Sequence, residues 1–395
     1  MSKPLLFLID GTYQIYRAYH AFRGQGLSNQ EGQATHAVYG FVTMLRKLVR
    51  DKKPTHIAAS FDLEGPTFRD EIVDDYKANR EDMPEDLVEQ IEWIYEACEA
   101  MGVPIVTAKG YEADDVIGTV AMQAIKSGFD VAIVSVDKDF FQLVRKGVRL
   151  YDPRDSGTWF DEAGVAKKFG VPPAQVVDVL ALVGDASDNV AGVPGIGKKG
   201  AVQLMSKYGS LDVLLEKAET LPQKRYRESL LASKDIALQS RNLVTIRTDV
   251  PITPTLESFL HQGPSRERCY DLFSRLGFRT LVNDYAPTEN SVQTNYSLVK
   301  NIEELDQLID QLRAAGKFAL HIVTDVPSAM RAHLIGVACS ISNRQARYIP
   351  LTPETKPGSE DLLAQHPNKI DQGIALARFK PLLEDNAIQK VGHDL

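Results

Sequence analysis

Apolar residues arrive in two textures along the chain. Short unbroken runs at Leu5 to Ile9 (LLFLI), His56 to Phe61 (HIAASF) and Val131 to Val136 (VAIVSV) have the length and composition of strands buried on both faces. Longer stretches between them, Thr35 to Arg50, Asp86 to Met101 and a segment running to about Ile125, repeat apolar positions at three- and four-residue spacing and read as helices. That alternation predicts an α/β fold, a mostly parallel central sheet with helices on both faces. Each strand-like run stops at a carboxylate: Asp10, Asp62, and Asp137 with Asp139 two residues on. Ligands of open parallel sheets bind just beyond the carboxyl ends of the strands, so the acids stand where chemistry belongs.

From about Pro172 the texture changes to short helices separated by glycine-rich turns, at Ala174 to Val183, Ala201 to Tyr208 and Leu211 to Ala218. The polar stretch Asp284 to Ser297 has little periodicity and reads as a linker. Beyond it, Ile302 to Leu312 and Arg378 to Glu384 read as helical, Phe318 to Val323 and Leu334 to Ile341 as strands. The expected organisation is an α/β core over 1–173, a helical subdomain over 174–286, a linker over 287–297 and a partial α/β domain over 298–395.

Composition adds one apparent contradiction. Forty-five Lys and Arg against 53 Asp and Glu leave the 395-residue chain at −8, which argues against a nucleic-acid partner. Residues 192 to 247, however, hold ten Lys or Arg against five Asp or Glu, a local +5, so the charge is split between an acidic site and a basic grip. Cys98, Cys269 and Cys339 form no CxxC pair, which excludes a thiolate zinc site and a disulfide framework and points to the cytoplasm. The apolar run at residues 5–9 is too short for a signal peptide or membrane span.

Two more acidic clusters complete the candidate site: Glu112, Asp114 and Asp115 opening a helical segment, and Asp185 with Asp188 between later helices. Taken singly, each acid fits a turn former or helix cap. Together, nine carboxylates in five clusters require cations, because converging carboxylates cannot all stay ionised unaided. Oxygen donors without His or Cys select Mg²⁺ or Mn²⁺, and the number of acids suits two ions. Gly195-Ile196-Gly197, followed by Lys198 and Lys199 and a helix, reads either as a plain loop or as a phosphate grip that senses backbone rather than bases. Arg69 lies near this acidic zone, and Lys77 and Arg80, three apart, make one cationic edge if helical, with Tyr76 as a base-stacking surface; a solvated charged helix is the competing reading.

The motifs Ile9-Asp10-Gly11, Tyr16-Arg17-Ala18, Phe61-Asp62, Tyr76-Lys77 with Arg80, Tyr111 to Asp115, Asp137-Lys138-Asp139, Gly184 to Asn189 and Gly195 to Lys198 resemble, in unbroken order over about residues 1 to 285, the 5′ nuclease domain of bacterial DNA polymerase I. The resemblance implies a PIN or flap-endonuclease-like fold with a helix-hairpin-helix subdomain, cutting 5′ flaps and RNA primers in replication and repair. It implies a first metal among Asp62, Glu112, Asp114 and Asp115, a second among Asp137, Asp139, Asp185 and Asp188, and Asp10 in support. It also implies Lys77, Arg80 and Arg17 as catalytic cations, Arg69, Tyr76, Gly195, Gly197, Lys198 and Lys199 against DNA, and a K⁺ ion at the Gly192 to Lys199 turn. A monomer joined to a C-terminal polymerase is the implied context, with branched DNA and RNA-primed DNA as partners and no membrane. Gly200 stands where relatives carry a hydroxyl residue, and Ala191 where they carry proline.

The remainder resembles the start of a ribonuclease H-like 3′ to 5′ exonuclease domain. His321-Ile322-Val323 stands where that family has an Asp-x-Glu metal motif, so the expectation is a spacer without proofreading, loosely packed, in a fragment of a longer polypeptide. Two rivals stay open from the residues themselves: a branched-DNA binding module without turnover, and a small-molecule phosphohydrolase.

Overall fold

The computed structural model describes residues 3–154, 157–286, 295–326, 332–352 and 369–392. It divides into two units, Met1–Ala286 and Pro287–Leu395.

In the first unit, strands β1 (Leu5–Asp10), β2 (His56–Ser60), β3 (Asp130–Val134), β4 (Val148–Asp152) and β5 (Thr158–Phe160) form one sheet in the order β2-β1-β3-β4-β5. All pairings are parallel except β4 with β5. Strand β3 stops two residues short of Val136 because the Ser135 hydroxyl accepts from the Asp137 N–H at 3.1 Å and turns the chain. Helices α1 (Gly11–Phe22), α2 (His36–Lys52), α3 (Phe68–Ile72), α4 (Glu85–Ala100), α5 (Ala113–Lys126) and α6 (Glu162–Phe169) connect and flank these strands.

Alternation along β1 sends side chains into two cores. Leu6 and Leu8 join Val131, Ile133 and the buried face of α5 on one side, while Phe7 and Ile9 join Ile57, Ala59, Val134 and helices α1, α2 and α4 on the other. Each such side chain, fully withdrawn from water, contributes roughly 1.5–3 kcal/mol before entropy is counted. Because β1 pairs with β2 on one side and β3 on the other, the chain leaves it in opposite directions, and the carboxyl ends of all three strands open on one crevice.

The later helices are α7 (Val176–Val183), α8 (Lys198–Tyr208), α9 (Leu211–Glu216), α10 (Lys224–Ala232), α11 (Lys234–Val244), α12 (Arg266–Arg275) and α13 (Arg279–Tyr285). They are not a separate body. Leu180, Leu204, Leu214 and Leu243 extend the Leu6–Leu8 core, whereas Cys269, Leu272 and Phe273 of α12 close the opposite face of the sheet. The expected helical subdomain over 174–286 therefore contributes to both layers of the α/β core.

In the second unit, β6 (Asn295–Leu298), α14 (Ile302–Ala315), β7 (Lys317–Thr324), β8 (Leu334–Ser342), β9 (Gln345–Thr352), β10 (Ile370–Asp371), α15 (Gln372–Leu383) and β11 (Gln389–Val391) make a mixed sheet ordered β10-β9-β8-β7-β11, with β6 also on β9. Residues 295–297, read from sequence as the end of a linker, pair with β9; residues 287–294 of that linker lie outside the described residues. The unit is not loosely packed: Leu305, Leu312, Phe318, Ile349, Phe379 and Leu382 form a dry core of their own. His321 is exposed on β7 and Val323, two residues on, is half-buried. No helix among the described residues is long and apolar enough to cross a membrane.

Candidate active site

A cleft of about 510 Å³ opens over the carboxyl ends of β1, β2 and β3, lined on its acidic side by Asp10, Asp62, Glu112, Asp114, Asp137, Asp139, Asp185 and Asp188. Eight of the nine sequence-selected carboxylates meet there although they lie up to 178 residues apart.

Asp10 ends β1 and caps α1: one oxygen accepts from the Tyr13 N–H at 3.0 Å, the other from the Ser135 hydroxyl at 2.8 Å. Burial pushes its pKa up to about 7 despite those two donors. Asp62 follows β2, accepts from the Ala113 N–H at 2.7 Å, and so ties the start of α5 to the sheet. Asp114, in the first turn of α5, has its pKa driven well up by burial and then by Asp10, Asp137 and Asp62. Asp139 is raised in the same way by burial, Asp137 and Asp185.

The donor set fits a hard divalent ion. Asp139, Asp185 and Asp188 each present an oxygen within 4.8 Å of the others. The Asp139 Oδ1 atom is buried without a hydrogen-bond partner, an orphaned acceptor that a metal would satisfy. Asp185 and Asp188 reach this position because residues 185–190 form a tight turn closed by reciprocal backbone bonds of 2.8 Å between Asp185 and Val190. The turn can sit there only with glycine on either side of it: a Cβ on Gly184 would lie 2.5 Å from the Gly192 nitrogen, and one on Gly192 2.2 Å from the Val183 oxygen.

Four cations line the same cleft, each held by a carboxylate: Arg69, buried on Asp115, and three more. The Lys77 Nζ lies 2.5 Å from Glu112, Arg80 NH2 2.5 Å from Asp188, and Lys138 Nζ 2.6 Å from Asp185. Burial disfavours the charge on Lys77 and Arg80, yet Glu112 and Asp188 overcome it and hold both pKa values above normal. The same ion pairing fails to bring Glu112 down, where burial dominates and raises the carboxyl. Asp185 is the exception: burial opposes ionisation, but donors from Lys138 and Ser187 hold its pKa below normal.

Several expected roles change. Asp115 does not face the cleft; it is fully buried and takes both guanidinium arms of Arg69 at 2.6 and 2.9 Å, plus the Arg247 N–H at 2.8 Å. Side chains at adjacent helix positions point about 100° apart, so when Asp114 faces the acids Asp115 must face the interior. Arg69 is correspondingly withdrawn from solvent at 3% exposure and cannot serve as a surface contact for DNA. Tyr76 is only 7% exposed and packs in the core, yet it also lines the cleft, its hydroxyl donating to Glu112 at 3.4 Å. Lys77 and Arg80 are not on a helix: residues 74–79 form successive turns, with Lys77 at φ +56° and its N–H donating to the Asp188 carbonyl at 3.0 Å. Arg17 does not line the cleft; on α1 it donates to Gln14 at 3.0 Å and is electrostatically coupled to Tyr13 and Asp152.

The glycine-rich turn keeps its expected form. Gly197 is the N-cap of α8, Gly195 holds φ +80°, and Lys198 and Lys199 are exposed in the first turn of α8. A side chain at Gly195 would meet the Arg225 guanidinium at 2.8 Å, so Arg225 belongs to this surface. Gly200 is buried against the Tyr226 hydroxyl, which lies 2.7 Å from where a Cβ would stand.

Lys138, Ser135 and Ser187 were missed in the sequence as site residues. The alternation Asp-Lys-Asp at 137–139 was the available signal for Lys138; nothing local marks Ser135, whose partner Asp10 is 125 residues away.

Fold and sequence place the chain in the 5′-3′ exonuclease family. A model described as 5′-3′ exonuclease, N-terminal resolvase-like domain, matches residues 5–170, and one described as 5′-3′ exonuclease, C-terminal SAM fold, matches 171–267. Among characterised relatives it is similar to DNA polymerase I of Rhizobium leguminosarum (33% identity, covering 99% of this chain and 47% of the relative) and of Pseudomonas aeruginosa (34%, 99% and 44%). DNA polymerase I of Bacillus subtilis is 38% identical over 75% of this chain and 34% of its own length. The chain thus spans about half the length of the first two. A solved structure of bacteriophage T5 5′-exonuclease with bound zinc shares the fold at TM-score 0.54 and 20% identity, covering 71% of this chain and 96% of that one. A T5 flap endonuclease in a complex with DNA and metal ions gives 0.52 and 21%, over 71% and 97%.

Proposed function

We propose that this chain is the 5′ nuclease part of a DNA polymerase I, cutting phosphodiesters near the junction of 5′ flaps and of RNA primers. The observation that carries the reading is the convergence of eight sequence-selected carboxylates and four cations on one cleft, in a chain that also carries a basic glycine-rich turn. A DNA-binding module without turnover has no use for the orphaned Asp139 oxygen, and a small-molecule phosphohydrolase none for the turn at Gly195.

Two Mg²⁺ or Mn²⁺ ions, when bound, would acidify a water and stabilise the leaving 3′ oxygen. Asp62, Glu112 and Asp114 would hold one ion and Asp137, Asp139, Asp185 and Asp188 the other, with Asp10 kept in place by Tyr13 and Ser135. Lys77 and Arg80 stand across the cleft from the sheet and would meet the charge that develops on the scissile phosphate. Gly195, Gly197, Lys198 and Lys199 would grip the duplex backbone through bare N–H groups and the α8 dipole, with K⁺ on the turn's carbonyls, so that binding is indifferent to sequence. The second unit would act as a spacer without proofreading, since His321 and Val323 cannot hold a metal pair. The working context is a monomer in the cytoplasm, joined to a polymerase and acting on nucleoid DNA.

A labelled 5′-flap duplex and a matched single strand, each incubated with Mg²⁺ and with EDTA, test this reading. Metal-dependent release of a product cut near the junction, with the single strand largely spared, is the expected result. Binding without cleavage would transfer the case to the DNA-binding module.

A further inference from the structure

Lys138 has no part in the proposed chemistry so far, yet its placement is specific. It lies between Asp137 and Asp139, lines the cleft, and reaches over to the 185–190 turn, where it shares the Asp185 Oδ1 atom with the Ser187 N–H at 3.0 Å and the Ser187 hydroxyl at 2.6 Å. That oxygen therefore accepts three donors, one of them charged. Asp185 is nearly buried while Lys138 keeps 39% of its side chain exposed to the cleft. In the three-acid cluster, Arg80 neutralises Asp188 and Lys138 neutralises Asp185, while Asp139 is left with a buried orphan oxygen.

A dication placed among these three acids makes a neighbouring ammonium redundant. Like charges a few ångströms apart repel, and a lysine on a flexible four-carbon stem can swing away far more readily than the buried carboxylate can. Lys138 is part of the lining of the cleft in which a phosphodiester would lie. We propose that Lys138 is a phosphate-binding residue held in reserve on Asp185: it balances the cluster in the metal-free protein and is released toward the DNA backbone when the metal enters. This rests on the nuclease reading and adds to it a competition between ammonium and metal.

The competition has a signature that a buttressing role cannot imitate, because metal and DNA affinity must move in opposite directions. Lys138→Met, which keeps the stem and removes the charge, is compared with Lys138→Arg and the parent. Mn²⁺ binding is followed on the DNA-free protein by electron paramagnetic resonance. Affinity for a flap duplex is followed in Ca²⁺ by fluorescence anisotropy across a salt series, and melting in EDTA checks that each variant is folded. The expected result is severalfold tighter Mn²⁺ binding by Lys138→Met, together with weaker flap binding and a slope of log affinity against log salt lower by about 0.7–0.9, the loss of one phosphate contact. Lys138→Arg should restore the slope. Weaker Mn²⁺ binding, or flap affinity and slope equal to the parent's, would overturn the inference. The parent's own cutting of the flap in Mg²⁺ is the separate check on the nuclease reading: a parent that binds the flap without cutting it removes that reading, while the Mn²⁺ arm still decides whether Lys138 competes for Asp185.

Discussion

Replacing Arg69 by Met leaves Asp115 as a buried carboxylate without its countercharge. In the structure Arg69 and Asp115 are 3% and 0% exposed, joined by two bonds of 2.6 and 2.9 Å. The guanidinium also donates to the carbonyls of Leu243 at 2.8 Å and Thr245 at 3.1 Å, so it fastens α11 to the start of α5. After the substitution Asp115 keeps only backbone donors, from Arg247 at 2.8 Å and Glu112 at 3.3 Å, and two carbonyls lose their partner. Breaking a buried pair from one side costs about 3–5 kcal/mol. The expected loss is about 4 kcal/mol, read by urea denaturation in EDTA. Asp115→Asn should also destabilise the metal-free protein, and Arg69→Met with Asp115→Leu should recover about 2 kcal/mol relative to the sum of the single changes. The reasoning is refuted if Arg69→Met costs less than about 1 kcal/mol. It is equally refuted if Asp115→Asn leaves metal-free stability untouched while weakening Mn²⁺ binding, the behaviour of a ligand rather than of an internal ion pair.

Further outcomes follow from the cleft. Asp10 has a folded pKa of about 7, above the ordinary 3.8, so its contribution to stability is present below about pH 4 and lost as pH rises through 7; in EDTA stability should fall between about pH 4 and 7, by about 4 kcal/mol at most, and level off above, and saturating Mg²⁺ should flatten the slope in calorimetric melting. Lys77→Ala should lower kcat on a flap substrate by about a hundredfold or more while leaving the fold intact by circular dichroism; unchanged turnover would remove it from the reaction. Gly192→Ala forces a Cβ onto the Val183 carbonyl, so it should cost more than about 1 kcal/mol and weaken Mn²⁺ binding through Asp185 and Asp188; a variant with the parent's melting temperature and Mn²⁺ affinity would contradict the close approach seen here.

The cleft also shows how a chain of net charge −8 can carry a locally basic surface. The acids are gathered under cations of the protein's own, and the exposed lysines of α8 begin at the turn that leads away from the Asp185–Val190 loop. Attraction for a phosphate backbone is a local property of such a surface, which the net charge does not report.

By itself the sequence determined the alternation of strands and helices, the carboxylates at strand ends, and the glycine turn before α8. These are local: an apolar run of five or six residues is too short for a typical helix and suits a buried strand, and ligands of open parallel sheets bind outside the carboxyl ends of the strands, where the residue that ends such a run stands. What only the tertiary structure decided was the direction in which each side chain points and the partner it finds. Asp114 and Asp115 are neighbours in sequence, yet one faces the acidic cluster and the other an arginine in the core, because the phase of α5 is set by packing of Val116, Ile117 and Val120 against the sheet. Lys77 and Arg80 carry the spacing of a helix edge but reach the cleft from turns fixed by contact with the Asp188 carbonyl, 111 residues away from Lys77. The pairing of Lys138 with Asp185, 47 residues on, is of the same kind: ion pairs between loops depend on how distant segments close upon one another, and no periodicity along the chain records that.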